Sequence, residues 1–353
     1  MWLPYSDVSM KILVIKPSAL GDVVNGLVIV PRLRKLFPDC EIHWFVNSEY
    51  AELVELAGVD KVIRFERGAW RNFRSVFSGI ANVSRISLEL KKKHYDIVID
   101  LQGLIRSGWF TFVTRAPVRV GFSDARELAH LFYNVKVDVK RNETHSVDCC
   151  LETLKKLGDE NPIAEWKWFG LEETTADLKW KHKLINNDFL VFVVGSRWET
   201  KSWPVEFFGK TAAIIYKKTG LKIFLTGSRN EIHIAEKVMH YAAENGCDES
   251  AIVSLAGKIS LGELFSICKE SKVVLTTDTG PMHCAASVGA KIVALMGPTN
   301  PVRHGPYNQQ ENVIVIDRKC APCYKRKCPD GEICMADISP EIVVEKILKQ
   351  LND

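Results

Sequence analysis

A chain of 353 residues, 46% of them apolar and 25% charged, is long enough to bury one large core or two. Its 47 basic and 43 acidic residues leave a net charge of +4. That is too balanced for a dedicated nucleic-acid binder, although a local basic face fits within it. No apolar run approaches the ~20 residues of a membrane helix, and MWLPYSDVSMKILVIK lacks the basic start and long apolar stretch of a signal peptide. A cytosolic protein is expected, with residues 1–9 a dispensable extension.

KILVIK (11–16) reads as a strand leading into the helical segment VVNGLVIVPRLRKLF. EIHWFV (41–46) leads into EYAELVELAG, and KVIRF into a long basic helix ending at LELKKKH. YDIVID (95–100), IRSGWFTFVTRA and RVGF continue the alternation. The rhythm lapses over about 158–187, a polar linker, and resumes with FLVFVVG (189–195), LKIFLTG (221–227), AIVSLAG, KVVLTT and KIVALMG. Continuous apolar strands alternating with helices predict α/β architecture, with parallel sheets covered on both faces and two Rossmann-like halves.

Ligands of such sheets bind at the carboxyl ends of strands, so polar residues there carry weight. In IKPSALGDVVNGL (15–27), Gly21 permits close backbone approach. Asp22 is either the N-cap of the next helix or a general base. GxGxxG is absent, which disfavours a nicotinamide enzyme. FLVFVVGSRWETKSWPVEFFGKTA (189–212) sets Gly195, Ser196, Arg197 and Lys201 at a strand mouth, suited to a diphosphate. The alternative there is a solvated loop. In LTGSRNEIHIAEKV (225–238), Glu231 falls in a first helical turn, where it serves the helix dipole or grips a ribose diol. LAGKISLGEL (255–264) offers Ile259 as an adenine floor. Asp278, Thr279 and Gly280 end another strand, Pro281 opens a helix, and amides 279–283 with His283 would meet phosphate oxygens.

KPSALGDVV, YDIVIDLQGLIRSG, DARELAHLFYN, GSRWETKSWPVEFF and DTGPMHCAASVGAKIVALMGPTNPVRHGP together resemble the ADP-heptose:lipopolysaccharide heptosyltransferases, glycosyltransferase family 9, over about residues 10–310. The resemblance implies a GT-B fold: two Rossmann-like domains facing across a cleft. Expected boundaries are 1–170 for acceptor binding, 171–338 for the ADP-sugar, and 339–353 as a terminal helix returning to the N-terminal domain. It implies inverting transfer of heptose from ADP-L-glycero-D-manno-heptose to Kdo or heptose of the lipopolysaccharide inner core, in a Gram-negative envelope pathway. No metal or other cofactor is implied for the chemistry. Asp22 matches the base and Lys201 the lysine that steadies departing ADP. Gly21, Gly195, Ser196, Arg197, Glu231, Ile259, Asp278, Thr279, Gly280 and His283 fall to the donor. The Ser196-Arg197 pair departs from the Thr-Thr of type I enzymes.

Acceptor recognition falls to the N-terminal half. RFERGAWRNFR (64–74) places Arg67, Arg71 and Arg74 near one helical face. Arg126 and Gln102, in the matched segments, complete the set. Guanidinium groups suit Kdo carboxylates and lipid A phosphates, while a solvated basic face is the simpler alternative. A lipid-bearing acceptor also allows peripheral contact with the inner membrane's cytoplasmic surface. These segments sit closer to the Kdo-acceptor pattern, whereas the Cys-rich tail resembles type II enzymes.

Ten cysteines divide into six scattered core residues and Cys320, Cys323, Cys328 and Cys334. The C-x2-C-x4-C-x5-C spacing departs from paired C-x2-C. Unliganded cysteines are the favoured interpretation and structural zinc the alternative. A different family 9 donor or acceptor, and a zinc-binding interaction module on an inactive scaffold, remain the competing functions; Asp22 and Lys201 argue against the latter.

Overall fold

The computed structural model describes residues 9–66, 76–182 and 188–353, with side chains described outside 76–82 and 178–182. Arg67, Arg71 and Arg74 lie outside the described residues. The chain divides into two units, 1–169 and 170–353.

The first unit runs β1 (Lys11–Ile15), α1 (Leu20–Gly26), α2 (Ile29–Leu36), β2 (Glu41–Asn47), α3 (Ala51–Leu56), β3 (Lys61–Phe65), α4 (Val76–Lys92), β4 (Ile97–Asp100), α5 (Ile105–Val113), β5 (Val118–Phe122), β6 (Val135–Val137) and α6 (Ser146–Lys155). Its sheet is ordered β3-β2-β1-β4-β5-β6, with every pairing parallel. β1 is buried along Ile12–Ile15 because helices cover both sides of a parallel sheet. Leu13, Ile15, Phe45 and Val98 meet Ile86 and Leu90 of α4 and Phe110 of α5 in one core cluster.

The second unit runs α7 (Leu171–His182), β7 (Phe189–Val193), α8 (Val205–Thr219), β8 (Lys222–Thr226), α9 (Ile232–Glu244), β9 (Ile252–Ser254), α10 (Leu261–Glu270), β10 (Val274–Thr277), α11 (Gly280–Ser287), β11 (Ile292–Met296), α12 (Pro301–His304), β12 (Val313–Val315) and α13 (Pro340–Asn352). The sheet β12-β11-β10-β7-β8-β9 repeats the first unit's order, again with every pairing parallel. In both sheets the strand order reverses beside the first strand: between β1 and β4, and between β7 and β10. Doubly wound sheets bind ligands at that switch point.

Two sequence expectations need correction. The interval 158–187 is not a single linker, because its first part is tied to the first unit. Asp159 takes a bidentate hydrogen bond from Arg32 at 2.6 and 2.7 Å, Trp166 Nε1 donates to Val24 O at 2.8 Å, and Phe169 N donates to Leu56 O at 2.7 Å. α7 belongs to the second unit, where Ser266 Oγ donates to Leu171 O at 3.4 Å. The terminal helix α13 likewise differs from its expected return to the N-terminal domain. Val343, Val344 and Ile347 enter the second unit's core beside Phe208 and Leu295. Trp203 Nε1 donates to Ile338 O at 2.9 Å, and Lys210 pairs with Glu341 at 2.6 Å.

The Arg32 guanidinium holds the Asp159 carboxyl below its usual range, chiefly by hydrogen bonding. Because that folded-state value is depressed, the pair's contribution is present above the unfolded carboxylate value near about 4 and lost as pH falls through the folded one. Arg32→Ala strands a nearly buried carboxylate and is expected to cost about 3 kcal/mol at pH 7 in denaturant melts. The difference from wild type should shrink below about pH 4. A pH-independent difference would remove the ion pair as the cause.

Candidate functional site

In the first unit, Lys16 directly follows β1, with its stem buried and Nζ directed across the switch point. It donates to Leu101 O, just beyond β4, at 3.1 Å and lies 3.6 Å from Asp22 Oδ1. Asp22 is not the N-cap of α1. Ala19 takes that position, and Asp22 three residues on reaches back to accept from Ala19 N at 3.0 Å. Its side chain nevertheless remains 50% exposed. The carboxylate therefore serves the helix terminus, sits beside a cation, and still presents surface to a reactant. Gly21 is buried in the first turn.

Across the same switch point, Asp100 is fully buried. It accepts from Gln102 N at 2.8 Å, Gly103 N at 3.1 Å and Tyr133 Oη at 2.6 Å. Burial pushes its carboxyl above the usual range despite these donors. The resulting loop leaves Gln102 Oε1 buried without a hydrogen-bond partner, an acceptor that a ligand donor would satisfy. Arg126 N donates to Gly103 O at 3.0 Å, so the Gln102 and Arg126 loops are joined through the backbone while the Arg126 side chain is exposed. Arg141, absent from the sequence candidates, stacks 4.9 Å over Phe122 and pairs with Asp124 at 2.7 Å beside the same loop.

The second unit brings most donor candidates together. Lys201 Nζ lies 2.6 Å from Asp278 Oδ2, linking the loop after β7 to the loop after β10. Asp278 is buried and also accepts from the Thr299 hydroxyl, which follows β11. Lys201 additionally sits 4.5 Å above the Trp198 ring, whose surroundings include Arg326 at 5.3 Å. Thr279 occupies the N-cap position of α11 without a side-chain capping bond, Gly280 and Pro281 open it, and His283 is buried in its first turn. Backbone amides at that terminus favour an anion. Ser196 Oγ accepts from Trp198 N at 3.3 Å, shaping the loop, and Arg197 is exposed.

Glu231 stands over Gly195 so closely that a β-carbon on the glycine would meet its carboxyl at 2.1 Å. Glu231 also accepts from Ser228 N at 2.6 Å. Ile259 is half-buried beyond Gly257, whose φ of +69° suits glycine. Gly195→Ala is expected to displace the Glu231 carboxylate with little change in melting temperature and, on the sequence expectation that Glu231 grips a ribose diol, to weaken ADP binding about tenfold or more. Calorimetric titration with ADP measures this. Unchanged affinity would detach Glu231 from nucleotide recognition.

The Cys-rich segment buttresses the Lys201 loop. Thr200 Oγ1 donates to Lys325 O at 2.6 Å, Cys334 Sγ to Thr200 O at 3.8 Å, and Tyr324 N to Pro298 O at 2.8 Å. All four of its cysteines are free, and no group of three or more metal-ligating side chains converges among the described residues. The six others are free and buried; burial pushes the Cys150 and Cys268 thiols up to about 12.

Sequence reasoning missed Lys16, Trp198, Thr299, Arg141 and Arg326. Trp198 and Thr299 lay inside quoted motifs, between two cations and after Gly-Pro. Lys16 was also inside a quoted motif, but its role, like those of Arg141 and Arg326, becomes visible only once strand order and loop contacts are known.

The family model for Glycosyltransferase family 9 (heptosyltransferase) matches residues 83–334. The chain is 28% identical over 333 residues to lipopolysaccharide heptosyltransferase 1 of Pseudomonas aeruginosa, covering 90% of this chain and 87% of that one. It is 28% identical over 356 residues to lipopolysaccharide heptosyltransferase 1 of Campylobacter coli, with 97% and 99% covered. The solved structure of Escherichia coli heptosyltransferase WaaC with ADP shares 25% identity at TM-score 0.76, over 97% of this chain and 100% of that one. Its paired α/β units are those of the GT-B fold, and with residues 83–334 matched the chain belongs to glycosyltransferase family 9, the heptosyltransferases, and is a glycosyltransferase.

Proposed function

We propose that the chain transfers L-glycero-D-manno-heptose from its ADP-activated form, with inversion, to the lipopolysaccharide inner core. The observation carrying this is Lys201, held by Asp278 and Trp198 at the second unit's switch point beside the amides of α11. That arrangement suits a leaving diphosphate. Lys201 and the helix terminus meet charge as the glycosidic C1–O bond breaks. Glu231 takes the ribose hydroxyls, Ile259 floors the adenine, and Asp278, Thr279 and His283 bind sugar and phosphate oxygens. Asp22 accepts the proton of the acceptor hydroxyl as its oxygen attacks C1 from the face opposite ADP.

Kdo is the preferred acceptor sugar, its carboxylates and the lipid A phosphates being assigned to Gln102 and Arg126, and to Arg67, Arg71 and Arg74 on the sequence resemblance alone, since these three lie outside the described residues. No metal enters any of these steps. The work takes place on the cytoplasmic side, in peripheral contact with the inner membrane; among the described residues no helix is long and apolar enough to cross it.

The test is ADP release from ADP-heptose with Kdo2-lipid A, compared with heptosyl-Kdo2-lipid A. Turnover with the first supports the reading, and turnover confined to the second moves the acceptor to heptose. Release with neither, alongside activity with another nucleotide sugar or glycan, would overturn the heptosyl assignment.

A further inference from the structure

α5 is apolar on both faces. Phe110, Gly108 and Thr111 are buried, whereas Ile105, Trp109 and Phe112, at i, i+4 and i+7, face outward. Arg106 is exposed among these outer apolar residues, and an apolar stripe of this kind on a surface helix is ordinarily covered. Here the outer stripe continues onto neighbouring elements. Phe132 lies 5.7 Å from Phe112, ring to ring, Leu128 and Leu131 project beside it, and Leu88 projects from α4. The six outward residues of α5, this turn and α4 are between 44% and 67% exposed.

The charges around this stripe are predominantly of one sign. Lys91, Arg115 and Arg119 line a depression of about 350 Å³ with Phe112 and Val113. Arg85 and Lys92 flank Leu88 in a second depression, where Glu89 is the acid and lies 3.9 Å from Lys61. Glu127 is engaged at the other end, accepting from Ile105 N at 3.1 Å. Tryptophan, phenylalanine and leucine rimmed by lysine and arginine is the composition of surfaces that lie in a bilayer interface.

We propose that the outer face of α5, with Leu88, Leu128 and Leu131, docks the enzyme on an anionic phospholipid bilayer. The apolar side chains enter the headgroup boundary while Lys91, Lys92, Arg85 and Arg115 meet lipid phosphates. A second copy of the chain is a poorer occupant, because a twofold interface sets the same patch against itself and would bring these cations onto one another. The surface lies wholly in the first unit and is independent of which sugar is transferred; a lipid-bearing acceptor supplies its use.

The experiment is co-sedimentation of the full chain with phosphatidylcholine vesicles, with and without about 30% phosphatidylglycerol, at about 0.1 M and about 0.5 M salt. Wild type is expected to partition at least about tenfold more strongly onto the anionic vesicles and to weaken in salt. Trp109→Ser with Phe112→Ser, and separately Lys91→Glu with Arg115→Glu, should each cut that binding about tenfold. Both should keep the wild-type circular dichroism and wild-type turnover on a delipidated Kdo acceptor. Turnover absent from every form would strike the proposed reaction and leave the vesicle result standing. Wild-type vesicle binding that is absent, or untouched by the Trp109 and Phe112 changes, overturns the docking surface. So does a dimer that these changes dissociate without any vesicle binding.

Discussion

Asp22→Asn is expected to lower kcat by about 10²–10⁴-fold, equivalent to about 3–5 kcal/mol of transition-state stabilisation, while the KM for the ADP-sugar barely moves. The substitution keeps an oxygen that can accept from Ala19 N, so the first turn of α1 retains its local hydrogen bond. What disappears is the basicity that the proposed mechanism uses to take a proton from the acceptor hydroxyl. The helix-dipole contribution lost with the charge, about 0.3–1 kcal/mol, is too small to imitate the kinetic effect. Asp22→Ala removes both functions and should match the Asn variant in turnover while melting slightly lower. Steady-state kinetics with saturating acceptor, paired with thermal melts, separates the two effects. Turnover within tenfold of wild type for Asp22→Asn would reduce Asp22 to the helix-terminal residue it also is.

The parallel sheets were legible because buried strands spell continuous apolar runs. Lys11–Ile15, Ile97–Asp100, Phe189–Val193 and Ile292–Met296 lie where those runs were read. The strands Val135–Val137 and Val313–Val315 escaped, being three-residue edge strands too short to display a period. The positions of the donor candidates were legible for a related reason: polar residues cluster at the strand ends of doubly wound sheets, and Asp278 and Lys201 each follow a strand that flanks the switch point. Side-chain reach was not legible. Lys16 looked like the polar end of a strand, and only the adjacency of β1 and β4 reveals that its ammonium spans to Leu101. Thr200 and Lys325 are separated by 125 residues, and nothing local in either announces the other. The terminal helix shows the same limit from the apolar side, since Val343, Val344 and Ile347 form a stripe that any exposed core edge would accept. A stripe encodes that a helix packs, not which sheet receives it.

Lys201→Ala should both weaken ADP binding and lower kcat, the latter by about 10²–10³-fold, because in the proposed mechanism Lys201 meets charge that grows as the diphosphate departs. The same change strands Asp278, which is 6% exposed at its side chain and would retain the Thr299 hydroxyl as its remaining described side-chain donor. An uncompensated buried carboxylate costs about 3–5 kcal/mol, so the variant is also expected to melt well below wild type. Lost activity could then reflect lost structure, and the double variant Lys201→Ala with Asp278→Asn separates them. Replacing the carboxylate with an amide removes the buried charge and should restore most of the stability, the two substitutions being strongly non-additive. Activity should not return with it, because the cation assigned to the leaving diphosphate is gone. Thr299→Val provides the converse control: it removes a donor to Asp278 but leaves Lys201 in place, so the KM for the donor should rise more than kcat falls. Full recovery of turnover in the stabilised double variant would show that Lys201 serves the fold alone, and ADP would then depart without it.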